Sequence, residues 1–424
     1  MEYEDTIQNE VLEKDERLKD IQVSKGKSKK RLLFKLGFVI MLILIVVILF
    51  IWKISTDVKY EEYKSGISEL VQYDKGLLAA LEHDFIQYVD QSDQHQGITF
   101  TVDSVVMDES MMIVFYSISS LENMNRMKLS GIDLLKSDGE QYRTGISRSG
   151  FNEIESVGSN YITFLFSEDR PEDEFVLNVG FTVIDEDVEE KLPYTWSVPF
   201  QVDKTLYQDA KQIYTINQTF DIEGQLITFE DISIYPTRSE LKVKYDDNNS
   251  KEIFGFDELY VVDQNGNKWG TKGSSGLGEY AEVIYFESNY FDEYEELYIE
   301  FHSIRALDKD KLEVQVDLQQ QKILSAPDEN ISLKFVNEKE NELQLGFHIK
   351  HDAFYKNHHI GGFYNKYHDI NNTYSFRQTS MSSLENDIFE ITLHLPKDEY
   401  TGPLTFSLWD YPQRLIENTR IQIK

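Results

Sequence analysis

Two neighbouring segments, 98-ITFTVDSV-105 and 112-MIVFYSI-118, decide the fold of this chain. In both, large apolar residues alternate with polar or smaller ones, which is typical of β-strands with one buried face. The same pair of patterns returns twice further along, as 226-LITFEDISI-234 with 241-LKVKY-245 and as 331-ISLKF-335 with 343-LQLGFHI-349. Each copy opens a stretch of roughly 100 residues with about seven short strands, so the repeat predicts a mainly β chain of three tandem Ig-like β-sandwiches.

The repeat also predicts the boundaries of the three β-sandwiches. We place them at residues 97–203, 213–320 and 327–424. Each ends on one further alternating segment, at residues 195–202, 312–318 and 419–423. Because every sandwich needs its own core, large aromatic side chains are expected to be buried in each: Phe100, Phe115 and Trp196, then Phe229, Tyr245 and Phe301, then Phe335, Phe347 and Trp409.

Composition supports strands and excludes several classes of function. The chain has 25 Tyr and 26 Phe but only 8 Pro, and aromatic side chains suit a pleated, half-buried surface. There is no cysteine, which excludes disulfides, thiol catalysis and zinc–thiolate sites. The formal net charge of −33 argues against nucleic acid as a partner, because phosphate binding needs a basic face.

An apolar run near the N-terminus predicts one membrane-spanning helix. Every residue from 36 to 52 is apolar or glycine, and Lys35 and Lys53 are placed to reach the lipid headgroups. With its flanks, residues 32–54, the run is long enough for a hydrocarbon core of about 30 Å. Residues 25–35 hold six basic residues and no acid, so the tail 1–31 is expected to be cytoplasmic and the C-terminal part extracellular. The sequence thus predicts a single-pass protein of the cell membrane.

The two segments that flank the membrane run are predicted to be helical. Residues 55–96 carry apolar residues mostly on one helical face and are interpreted as a membrane-proximal stalk. In the tail, Ile7, Val11, Leu18 and Ile21 recur at helical spacing. This stripe has two interpretations, a solvated tail or a short helix that binds a cytoplasmic partner.

The quoted segments also carry a family resemblance. Residues 60–200, with 97-GITFTVDSVVMDESMMIVFYSIS-119, resemble the domain of unknown function 4179, and residues 213–320, with 218-QTFDIEGQLITFEDISIYPTRSELKVKY-245, resemble the domain of unknown function 5643. The resemblance implies membrane-anchored, Ig-like extracytoplasmic proteins of Gram-positive bacteria. For the first family it also implies an anti-sigma role, with an extracytoplasmic-function sigma factor as the cytoplasmic partner. It implies no catalytic residues.

Three local patterns resemble sites of chemistry, but none predicts a catalytic, cofactor or metal site. Five of the nine histidines lie between residues 348 and 368, but their spacing fits no metal motif and predicts exposed loop residues: His348, His351, His358, His359 and His368. Asp263, Asn265 and Asn267 begin like a calcium loop, but Lys268 and Ser274 replace the glycine and glutamate that such a loop needs, so the segment is interpreted as a hairpin turn. The segment 270–278 is rich in glycine and is interpreted as a flexible loop.

The sequence therefore predicts a sensory or regulatory membrane protein, and not an enzyme. In this hypothesis the β-sandwiches contact an unidentified envelope ligand, and the tail contacts a cytoplasmic partner. A structural or adhesive envelope protein, whose tail serves only for membrane insertion, is the alternative.

Overall fold

The computed structural model describes residues 41–48, 50, 53, 64–120, 127–148, 158–166, 172–185, 188–278, 280–351, 361–376, 378–384 and 387–424. The chain divides into two compact units, Met1–Leu70 and Val71–Lys424. In the first unit, residues 41–48 and 64–70 are α-helical. The second unit is mainly β, as the alternating pattern predicts.

The predicted helical stalk at 55–96 is wrong in its last third. Helix α1 spans Lys75–Glu82 and is capped by the side chain of Asp74, which accepts a hydrogen bond from the amide of Leu77. Gln87–His95 then form strand β1, which pairs antiparallel with the next strand. The apolar residues at positions 85, 88 and 89 lie three and four residues apart, a spacing that also fits a helix, so the pattern alone favours the wrong structure. Pairing with a neighbour decides it.

Strands follow one another along the rest of the chain, and short 3-10 turns at Lys204–Leu206 and Lys309–Lys311 lie between some of them. We divide the described strands into three β regions by the buried core to which they, or the strands with which they pair, contribute. The first β region contains β1 (Gln87–His95), β2 (Ile98–Met107), β3 (Met111–Ser120), β4 (Met127–Lys136), β5 (Thr144–Arg148), β6 (Gly158–Phe166), β7 (Glu174–Asp185), β8 (Val188–Lys191) and β9 (Trp196–Gln201). The second contains β10 (Gln212–Ile222), β11 (Gln225–Ile234), β12 (Ser239–Tyr245), β13 (Lys251–Asp257), β14 (Tyr260–Asp263), β15 (Lys268–Gly276), β16 (Ala281–Phe286), β17 (Leu297–Asp308) and β27 (Arg414–Gln422). The third contains β18 (Glu313–Asp317), β19 (Lys322–Ser325), β20 (Ile331–Glu338), β21 (Glu342–Lys350), β22 (Gly362–His368), β23 (Thr373–Ser375), β24 (Gln378–Leu384), β25 (Ile388–Pro396) and β26 (Leu404–Asp410).

Five β-sheets join these strands within the described residues. The first β region has one sheet in the order β1-β2-β3-β6-β5 and another in the order β4-β7-β8, with β9 also paired to β7. The third has the orders β19-β18-β26-β22-β23 and β20-β21-β25-β24. Side chains alternate along the strands, as in β25, where every second residue is buried. In the first core the indole of Trp196 is fully buried and donates to the carbonyl oxygen of Ile98 at 3.0 Å.

The second β region is one sheet that folds back on itself, in the order β10-β11-β12-β16-β15-β14-β17-β13, with β27 paired to β17. The bend lies in β15, whose first three residues pair with β14 and whose residues 271–276 pair with β16. Gly273 has a φ of +117°, which only glycine adopts without strain, and the register shifts beside it. The prediction of a flexible glycine-rich loop at 270–278 is therefore wrong, because these glycines turn a strand from one layer to the other.

The second and third β regions exchange strands across the predicted boundary. The sequence units at 213–320 and 327–424 assign β18 to the second and β27 to the third. In the structure β18 pairs with β26, and β27 pairs with β17 along seven residue pairs. Leu415 and Ile421 of β27 are buried in the second core, while Val314 and Val316 of β18 are buried in the third. The chain therefore passes from the second region to the third before β18 and returns to the second before β27.

Candidate functional site

A buried carboxylate joins the first β region to the second. Asp108 lies in the turn between β2 and β3 and is fully buried. One of its oxygens accepts from the amide and hydroxyl of Ser110, at 2.9 and 3.0 Å, and from the amide of Met111 at 3.1 Å. The other accepts from the amide of Thr237 at 3.0 Å and from the Thr237 hydroxyl. Since Thr237 follows β11, this carboxylate fastens two turns that are 129 residues apart in sequence.

The environment of Asp108 explains why these donors are needed. Burial raises the pKa of Asp108 above its usual value, while the hydrogen bonds from Thr237 and Ser110 act in the opposite direction. A buried carboxylate without donors would cost several kcal/mol. The short side chains of Asp108, Ser110 and Thr237 therefore form a structural joint between the first two β regions, which we call the Asp108 joint.

Helix α1 is also held by the second β region. Its N-cap residue Asp74 forms an ion pair with Lys272 of β15. The ammonium group of Lys75 donates to the carbonyl oxygen of Lys268 at 3.0 Å. The start of the helix therefore contacts the bent strand β15, although the chain runs on from this helix into the first β region.

The body and the end of α1 make closer contacts with the loop after β16. A Cβ atom at Gly76 would lie 2.6 Å from the amide nitrogen of Ser288, so only glycine fits there. At the other end, the ring of His83 stacks on Phe291 with 4.9 Å between centroids, and Phe85 meets the same ring edge-on at 5.5 Å. Together with the two lysine contacts, these interactions form what we call the α1 clamp.

A cleft of about 1110 Å³ lies between the first and second β regions, beside the Asp108 joint. Gly145, Leu165 and Phe166 line it from the first region, and Arg238 and Tyr285 line it from the second. The volume is slightly above the usual range of about 300–1,000 Å³ for ligand pockets. The cleft is the largest of the described cavities and is the candidate functional site.

The charged and phenolic groups of the cleft are held by neighbouring side chains. The Arg238 guanidinium lies 4.1 Å from the centre of the Tyr285 ring and forms an ion pair with Glu240 at 2.6 Å. Burial, followed by the charge of Glu240, raises the pKa of Tyr235 to about 12. Burial likewise raises the pKa of Tyr207, whose hydroxyl meets no hydrogen-bond partner in the described part of the chain. Both phenols stay neutral at physiological pH, so the cleft offers neutral polar groups beside its paired charges.

The residues singled out in the sequence do not form this site. The tail residues Ile7, Val11, Leu18 and Ile21, and the tail 1–31 as a whole, lie outside the described residues. Most of the predicted membrane segment 32–54 does so too. Within the described ranges, no helix is both long and apolar enough to cross a membrane.

The histidines and the calcium-like segment lie elsewhere. His348 bonds to Glu390 across β21 and β25 at 2.8 Å, and His351 stacks on Phe389, whereas His358 and His359 lie outside the described residues. Among described residues, no group of three His, Cys, Asp or Glu side chains could hold a metal ion. The segment at Asp263 is a hairpin turn between β14 and β15, which confirms that interpretation.

Comparison with known families bears on the α1 clamp and the Asp108 joint. Residues 27–120 match the domain of unknown function DUF4179, and residues 211–324 match the family of unknown function DUF5643. The chain carries both, in this order. The DUF4179 match includes α1 and the Asp108 turn, and the DUF5643 match includes Thr237 and β15, so the clamp and the joint each connect one matched domain to the other.

Solved structures give weaker similarities. A conserved domain protein from Bacillus anthracis is 18% identical, with 57% of this chain and 84% of that chain covered and a TM-score of 0.39. An uncharacterized protein from Listeria monocytogenes is 9% identical, with 72% of this chain and 29% of that chain covered and a TM-score of 0.12. No curated protein matches the sequence.

Proposed function

We propose that the chain is a single-pass, membrane-anchored regulatory protein. Three tandem Ig-like β-sandwiches sense the cell envelope on the outside, and the tail contacts a cytoplasmic partner, for which the resemblance implies a sigma factor. The DUF4179 match supports the membrane-anchored part of the proposal. It begins at residue 27, within the basic cluster, and runs through the apolar segment to the end of β3, so the predicted membrane segment and the first strands lie within one match.

The α1 clamp is the observation that carries this proposal. Helix α1 follows the predicted membrane segment in the chain, yet the second β region holds it through Lys272, Ser288 and Phe291. If the angle between the first two β regions changes, α1 moves with the second region and is therefore displaced relative to the first. A ligand can drive such a change only if it binds the two arrangements with different affinity. A purely adhesive protein has no need for this connection, so the clamp favours regulation over the structural alternative.

A pair of matched glycine substitutions tests this proposal. Gly76→Leu should open the clamp, because its Cβ would overlap Ser288. Gly66→Leu is the control, since a Cβ at this helical position meets nothing within 4 Å and gains the same helix propensity. We expect Gly76→Leu alone to change the transcript profile of the host cell, measured by RNA sequencing. If limited proteolysis shows that α1 is released and the transcripts stay unchanged, the structural or adhesive reading replaces regulation.

The tail gives a second test of the same proposal. Replacing Val11 and Leu18 with Asp removes two apolar contacts of the predicted tail helix, which would be too short to be stable alone in water and would fold on binding its partner. Burial of each is worth about 1.5–3 kcal/mol, so capture of the cytoplasmic partner should fall by roughly a hundredfold or more. Crosslinking from the tail in living cells, followed by mass spectrometry, measures this capture. Replacing Gln8 and Asn9 with Asp adds the same charge off the stripe and should leave capture intact.

A further inference from the structure

Two strand edges line the cleft between the first and second β regions. Strand β5 lies at the end of its sheet and, among the described residues, pairs only with β6. In β15, residues 271–276 pair with β16, and the pairing with β14 ends at Gly270, so their other edge has no described partner strand. Gly145 of β5 and residues 274–276 of β15 line the same cleft. Unpaired strand edges present amide and carbonyl groups that pair readily with another extended chain.

The side walls of the cleft suit the side chains of such a chain. Leu165, Phe166 and Val283 line it, together with Leu277, a large apolar residue that is 56% exposed. Ile146, the neighbour of Gly145 on the edge strand, is also exposed. A peptide that adds to a sheet edge obtains its affinity from main-chain hydrogen bonds and its specificity from pockets for alternate side chains. Backbone edges and apolar walls lie together here.

The charged groups of the cleft do not point to a small ion as the ligand. Arg238 is paired with Glu240 at 2.6 Å, Lys242 with Asp231 at 3.3 Å, and Lys204 with Asp173 at 3.2 Å. An anion or cation entering the cleft would compete with one of these pairs. A neutral peptide backbone would not compete with these pairs. Its amide and carbonyl groups would pair with those of a strand edge instead.

We propose that the cleft binds an extended peptide segment of about five residues by adding it as a strand to the free edge of β5. The length follows from the five residues of that edge, Thr144–Arg148. This inference deepens the proposed sensory function by naming the class of its ligand. Its binding can be measured whether or not the protein regulates a gene, so the two proposals fail separately.

Panning a phage-displayed library of linear twelve-residue peptides against the full chain in detergent micelles tests the proposal. Enriched peptides are synthesised, and their Kd is measured by fluorescence anisotropy. Gly145→Trp should weaken binding at least tenfold, because the indole would occupy the cleft. The fold tolerates a Cβ at this position, since its nearest neighbour, Leu165, would lie 3.5 Å away. Ser332→Trp, at an exposed residue of β20 in the third β region, is the control and should leave binding unchanged.

N-methylation of the peptide backbone distinguishes strand addition from simple side-chain contact. Methyl groups on alternate amides should abolish binding, and those on the intervening amides should not, because only every second amide of an edge-paired strand faces its neighbour. The same measurements with the variant Ser275→Trp, on the β15 wall, decide the matter if Gly145→Trp does not fold. Absence of enriched peptides, binding that survives both tryptophan variants, or methylation effects without a period of two would overturn the proposal. So would binding of N-acetylglucosamine tetramer that either variant abolishes, since the cleft would then be a glycan site.

Discussion

Replacing Arg305 with Met should lower the free energy of unfolding by about 3–5 kcal/mol, because it leaves two buried carboxylates without their cation. Arg305 of β17 bonds to Asp257 in the second β region and, at 3.1 Å, to Asp410 at the end of β26 in the third. The side chains of the two acids are only 3% and 6% exposed. Urea unfolding of the full chain measures the loss, with Trp269 in the second core and Trp409 in the third β region as fluorescent reporters.

An exposed arginine of the same sheet provides the matched control. Arg420 of β27 pairs with Glu300 at 3.3 Å, and its side chain is 51% exposed. Solvent screens such a pair, so Arg420→Met should cost about 1 kcal/mol or less. Equal losses in the two variants would mean that Asp257 and Asp410 do not depend on Arg305 for their compensation.

The pH dependence of the Arg305→Met variant follows from Asp410. Burial raises the pKa of Asp410 above its usual value, and Arg305 acts against that rise. Without Arg305 the rise is larger, so the folded state binds a proton more tightly than the unfolded state does. Stability then falls as pH rises through that pKa and recovers as pH falls. The deficit relative to the parent protein should therefore be smaller at pH 5 than at pH 7. A deficit that is the same at both would contradict a buried charge at Asp410.

Much of the β structure could be predicted because apolar and polar residues alternate along a strand that has one buried face. In β21, Leu343, Leu345, Phe347 and Ile349 are buried as their spacing predicts. The hairpin at Asp263 was equally clear, since its turn chemistry is local. Trp409 was expected in a core by the same rule and is 47% exposed, lying over Gly362 instead. The alternating pattern identifies the side chains that share one face of a strand. It does not show whether a second layer of the protein covers that face.

The cleft, the Asp108 joint and the α1 clamp could not be predicted because the residues that form each of them become neighbours only after folding. Asp108 and Thr237 are short polar residues in two separate turns, and each has an ordinary role as a turn residue. In the sequence, Gly76 indicates only a residue that lowers helix stability. In the structure, Ser288 lies so close to Gly76 that no side chain fits there. The one available signal was that glycine lies inside a helical pattern at all, which usually has a packing reason.

Strand exchange between the second and third β regions was hidden for a different reason. Alternation shows that β18 and β27 each bury one face, but it carries no information about which sheet they join. The DUF5643 match runs to residue 324 and so includes β18, although this strand pairs with β26 of the third region. The sequence module and the folded region therefore end at different places.

Two alanine substitutions should reveal this exchange by their crossed effects. Ile421→Ala in β27, at the C-terminal end of the chain, should destabilise the second core by about 2–5 kcal/mol, because Ile421 is buried there among second-region residues. Val314→Ala in β18 should destabilise the third core by about 2 kcal/mol, since Val314 is fully buried in it. If the regions ended at residues 320 and 327, as the repeat predicts, Ile421→Ala would destabilise the third core and Val314→Ala the second.

Native-state hydrogen exchange of the full chain, read by mass spectrometry, locates each effect without requiring the regions to unfold separately. Ile421→Ala should speed exchange chiefly in β11 and β17, and Val314→Ala chiefly in β21 and β26. The strands paired directly with the altered one should respond most, since β27 bonds to β17 and β18 bonds to β26. Faster exchange in β21 for Ile421→Ala, or in β11 for Val314→Ala, would show that the strands serve the cores that the sequence repeat assigns to them.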